Sequence, residues 1–171
     1  MSMYGLRFHP DGEVYLYSGR EYNFPNSIMI WMCISNSGPN LIRLVPETMK
    51  PLVYRDILDE LAVSPSITGT RGFIHNFNHF NRNPTISTWF SQQQSLRQLA
   101  WAKGSPEIMP LTSVFEDLVI MLNSCLYLNI ATVADLCSAV MDLWDRRINN
   151  DNYIWSKIYD ARELISQSLP S

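Results

Sequence analysis

The sequence predicts an α+β fold, with a small N-terminal antiparallel β layer followed by a helical bundle. Three observations carry this. Short β-prone runs separated by turn residues fill the first 46 positions. Apolar residues at helical spacing fill the second half. The chain has 171 residues, 46% hydrophobic and only 17% charged, which is enough apolar material for one core. A single domain over 1–171 follows, β-rich over 1–46, with an aromatic loop over 64–90 and helices over 91–168.

Glu13-Val14-Tyr15-Leu16-Tyr17 alternates and is the first strand, ended by Ser18-Gly19. Ile28 to Ile34 is the second, closed by Asn36-Ser37-Gly38-Pro39. Leu41-Ile42-Arg43-Leu44-Val45 is the third, stopped by Pro46. Short connections make these an antiparallel meander. Pro51 opens a helix to about Val63, with Leu52, Ile57, Leu58 and Leu61 on one side. Residues 64–84 read as irregular, and helix resumes from Ser91 to a glycine cap at Gly104.

Ser113-Val114-Phe115-Glu116 reads as a capping box for a helix to about Leu128. Thr132 starts another that reaches Asn149, with Val133, Leu136, Cys137, Val140 and Trp144 at helical spacing. Asn150-Asp151-Asn152 caps a last helix, Tyr153 to Ser168.

Arg7, Asp11 and Glu13 stand where a secretory leader would need an apolar segment. The charge-free stretch Leu118 to Ala134 is interrupted by Asn123, Ser124, Asn129 and Thr132, too polar to cross a bilayer. Cys33, Cys125 and Cys137 lack metal-ligand spacing and read as core residues rather than disulfide partners. The expected compartment is a reducing one, cytoplasm or nucleus.

The search for catalytic motifs finds no phosphate loop, no GxSxG and no HExxH. His75 and His79 are four apart but have no third ligand. Asp142 and Asp145, followed by Arg146 and Arg147, read as a solvated helix face. The expectation is a protein without enzymatic chemistry, metal or cofactor.

Gly72 to Phe90 is the informative stretch: Phe73, Phe77, Phe80, Trp89 and Phe90 are interleaved with His75, His79 and four Asn. Two readings stand. The loop folds back and buries its rings, or it presents an aromatic platform to another protein. On the second reading the contact residues are Tyr4, Phe8, Tyr22, Phe24, Phe73, Phe77 and Phe80, with His75 and His79 as hydrogen-bonders at the rim. Base stacking would need an Arg71, Arg82, Arg97 patch. A net charge of −3 gives no general grip on nucleic acid, which is therefore not an expected partner.

Ser87-Thr88-Trp89-Phe90-Ser91, followed by Leu96 to Pro106, resembles the central motif of phlebovirus nonstructural NSs proteins. The matching positions are Leu99, Trp101, Gly104 and Pro106, with Ala102 in place of the usual Pro. Tyr54 to Leu61 and Gly72-Phe73 are similar in layout to the segment before that motif. The resemblance implies a viral accessory protein in the host cytoplasm, or its nucleus, that antagonises innate and stress responses by binding host proteins. Its foremost implied partner is translation initiation factor 2B, in competition with phosphorylated initiation factor 2. Alternatives are an interferon-induction antagonist acting elsewhere, a self-assembling matrix-like protein, and a small hydrolase or nuclease using His and Asp.

Overall fold

A computed structural model describes residues 2–17, 25–35, 40–45, 49–62, 71–73, 83–93, 96–99, 109–124 and 129–168. The fold class is α+β, an N-terminal four-stranded antiparallel sheet followed by helices. Strands β1 (Ser2–Phe8), β2 (Val14–Tyr17), β3 (Ser27–Cys33) and β4 (Leu41–Val45) lie in the order β2-β1-β3-β4. Every pairing is antiparallel.

Two features of this sheet differ from the sequence expectation. Residues 2–8 form a strand ahead of the first one expected, and β1 pairs with β2 on one side and β3 on the other. Consequently β2 and β3 are not neighbours, and the strands form no simple meander. The period-two pattern explains β1: Tyr4, Leu6 and Phe8 all face one core. Gly12, at φ 90°, makes the β1–β2 turn possible, where its N–H donates to the His9 carbonyl at 2.8 Å.

Strand β3 is buried on both faces and divides the interior in two. Ile28, Ile30 and Met32 face the larger core. Met29, Trp31 and Cys33 face the smaller one. The smaller core is closed by α1 (Pro51–Ala62) and α2 (Pro84–Gln92) through Tyr54, Ile57, Leu58, Leu61, Ile86 and Trp89. The larger is closed by α3 (Pro110–Leu122), α4 (Val133–Leu143), a π-helical turn (Trp144–Ile148) and α5 (Asp151–Ser168).

Helix α2 begins where Asn83 accepts from the Thr85 N–H at 3.0 Å and Pro84 takes the first turn. Of the helix expected over 91–104, the described residues show only the end of α2 and then a strand. Gln92 ends α2, and β6 (Leu96–Gln98) pairs in parallel with β5 (Arg71–Phe73). Helix α3 starts at Pro110, so Ser113 lies inside it and is no cap. The Thr132 start of α4 is observed as a reciprocal capping box with Asp135. The π turn, closed by the Asn149 N–H on the Trp144 carbonyl, carries two buried residues, Trp144 and Ile148.

Candidate functional site

Helix α3 joins the sheet to the other helices, and its polar side chains reach both β1 and α5. At its N-terminal end the Thr112 hydroxyl is 3.2 Å from the Tyr4 hydroxyl of β1. The Tyr4 ring lies against Phe115, with centroids 4.5 Å apart. At its C-terminal end Asn123 grips the β2 backbone. Its carbonyl oxygen accepts from the Val14 N–H at 2.8 Å, and its amide donates to the Val14 carbonyl at 2.7 Å. These ties fix α3 across the β1–β2 hairpin.

One turn away, α3 meets α5 in a polar cluster. Lys157 contacts Asp117 at 2.6 Å and donates to the Ser113 hydroxyl at 2.9 Å. The Tyr153 hydroxyl donates to the same Asp117 carboxylate at 2.7 Å. Burial pushes the Tyr153 phenol up, and the bond to Asp117 and its charge push it further. The Lys157 side chain is 17% exposed, so this pair is better shielded than the surface ion pairs. A serine beside a lysine suggests nucleophilic chemistry, which needs an amine that takes the hydroxyl proton. Here the ammonium is a donor to both oxygens, so the cluster is a clamp between helices. Its sequence signal is the four-residue spacing of Ser113–Asp117 and of Tyr153–Lys157, two stripes that sequence reading passes over.

The expected contact residues fare differently. Phe8 is 4% exposed and belongs to the larger core, because β1 is an inner strand. Tyr4 is half-buried and packs on the same core, so neither ring is offered to a partner. Phe73 lies in β5, with its ring outside the described side chains. Tyr22, Phe24, His75, Phe77, His79 and Phe80 lie outside the described residues, as do Trp101, Gly104 and Pro106.

Of the aromatic stretch, Trp89 is core, and its indole N–H donates to Asp59 at 2.6 Å. Cys33 is buried and Cys137 half-buried; both thiols are pushed up by burial. Asp142 pairs with Arg146, while Asp145 and Arg147 are exposed. No helix among the described residues is long and apolar enough to cross a membrane. Among the same residues no three His, Cys, Asp or Glu come together as a metal site.

No protein-family model matches the chain. By sequence it is 26% identical over 96 residues to the transposable element Tcb1 transposase of Caenorhabditis briggsae. It is 28% identical over 94 residues to the Tcb2 transposase of the same organism. These alignments take in 54% and 53% of the chain and 34% of each transposase. The chain therefore spans about a third of the length of the curated relatives it matches. In three dimensions it is similar to the catalytic domain of Mos1 mariner transposase, with a TM-score of 0.63 and 13% identity. That match covers 84% of the chain and 74% of the other. A second Mos1 catalytic-domain structure, with raltegravir and Mn, matches at the same TM-score and 12% identity. The chain is similar in fold to that domain.

These findings overturn the resemblance to phlebovirus NSs proteins. With it go initiation factor 2B as partner, interferon antagonism and matrix-like assembly. The motif misled because a few Trp, Gly and Pro residues at short spacing are a pattern that unrelated folds share. The expectation of a protein without enzymatic chemistry is corrected too, since the fold is that of a catalytic domain. So is the exclusion of nucleic acid, because transposases work on DNA.

Proposed function

We propose that this chain is a transposase-derived domain of the Tc1/mariner type whose partner is the DNA of a transposable element. The observation that carries the reading is convergence: the sequence comparison and the fold comparison each lead to transposases. The reaction class that comes with this reading is DNA cleavage and strand transfer, an attack of an oxygen nucleophile on a phosphodiester.

A net charge of −3 requires that DNA be held by local cations rather than by a broad positive field. Arg147, exposed in the π turn, and Arg162, exposed on α5, are available for this. The test is fluorescence anisotropy of a labelled duplex titrated with the full chain in EDTA. Saturable binding that weakens with a shallow salt slope is expected, and Arg147→Ala should weaken it several-fold whatever the duplex sequence. Absence of binding at low salt removes the reading.

Phosphoryl transfer of this class commonly uses a divalent metal as Lewis acid. One of the similar solved structures has Mn in its name. Such hard ions are held by clustered carboxylate oxygens. The described residues of this chain do not fit that requirement.

A further inference from the structure

We infer that the described residues of this chain build no divalent metal centre, an inference that rests on the transposase reading. The first ground is where carboxylates are missing. None of the six strands among the described residues carries an Asp, Glu or His. The sequence has no Asp or Glu at all between Glu60 and Glu107. The sheet and the segment that follows α1 are thus without the ligand type that a hard divalent ion selects.

The second ground is what occupies the junction of the inner strand β1 with α3. There the polar groups are two neutral hydroxyls, Tyr4 and Thr112, 3.2 Å apart and shielded by the Phe115 ring. They satisfy one another, and neither supplies the charge that offsets dehydration of a divalent ion.

The third ground is the engagement of five helix carboxylates. Asp117 is held by Lys157 and Tyr153, Asp59 by Trp89 and Arg55, and Glu60 by Arg43. Asp135 is consumed in the α4 cap, and Asp142 pairs with Arg146. These residues are spread over three helices and converge nowhere among the described residues. His9, Asp11 and Glu13 share the β1–β2 turn but do not come together as a ligand set. Metal-assisted strand chemistry then requires ligands from outside the described residues.

The experiment is a titration of the full 171-residue chain with MnCl2, without DNA, followed by the electron paramagnetic resonance signal of free aqueous Mn2+ and by Tm. The expected result is an undiminished free-ion signal at equimolar metal and a Tm unmoved by Mn2+. A saturable loss of that signal at one or more ions per chain, with an upward Tm shift reversed by EDTA, overturns the inference. DNA binding measured separately in EDTA judges the transposase reading, so either can fail while the other stands.

Discussion

The two faces of the sheet are built by different means. The larger core is almost wholly hydrocarbon: among its described buried residues Trp144 alone has a polar tip. Its polar ties, Tyr4–Thr112 and Asn123–Val14, sit at the margins and fix where α3 lies. The smaller core holds Trp31, Cys33, Tyr54 and Trp89, and burial pushes the Tyr54 phenol and the Cys33 thiol upward. One face therefore resists by packing volume, while the other depends more on where polar tips find partners. The lesson is that one strand, β3, serves two interiors whose failure modes differ.

The largest test of this contrast is Phe115→Ala. The ring is wholly buried and backs Tyr4, so a loss of about 3–5 kcal/mol in denaturant unfolding is expected. Asn123→Ala comes next. It strips both partners from the Val14 backbone, which lies in a residue only 1% exposed, and should cost about 2 kcal/mol. If it costs as much as Phe115→Ala, the larger core is not governed by volume.

On the smaller face, Asp59→Ala removes the acceptor of the Trp89 indole. Asp59 is half-exposed, so water replaces it in part and the expected loss is about 1 kcal/mol, seen also as a change in Trp fluorescence. The smallest effect belongs to neither face. Thr132→Ala should cost up to about 1 kcal/mol through the lost α4 cap.

The α4 cap also has a pH signature. The Thr132 hydroxyl, and then its backbone N–H, hold the Asp135 carboxyl below the usual carboxylate range. A depressed folded value means stability that is complete above the unfolded value and lost as pH falls through the folded one. Tm measured against pH should therefore show this contribution intact above about pH 4 and fading below it, and Asp135→Asn should remove that dependence.

Much of the fold was legible, for identifiable reasons. β3 and β4 are dense β-prone runs between turn residues, and the Thr132–Asp135 spacing writes a cap directly into the chain. Strand β1 is harder because Gly5 and Arg7 dilute it, although Tyr4, Leu6 and Phe8 alternate and Pro10-Asp11-Gly12 supplies a turn. Helix α2 hides in a run rich in Asn and aromatics, where Asn83-Pro84 is the start signal. The pairing of β5 with β6 is a tertiary event that no local pattern foretells.

The candidate site was legible least. Tyr4 and Thr112 are 108 positions apart, and only the fold brings them together. Function was misread for a related reason: aromatic content looks alike in a recognition loop and in an inner strand until pairing is known.

The inner position of β1 has one more consequence. A chain whose opening residues sit between two strands made later cannot finish its sheet by adding those residues to an edge. During assembly the space between β2 and β3 has to be kept or reopened for them, which favours early formation of the β1–β2 hairpin. Trimming the first eight residues would not shorten the molecule at its margin; it would divide one sheet into a lone strand and a pair.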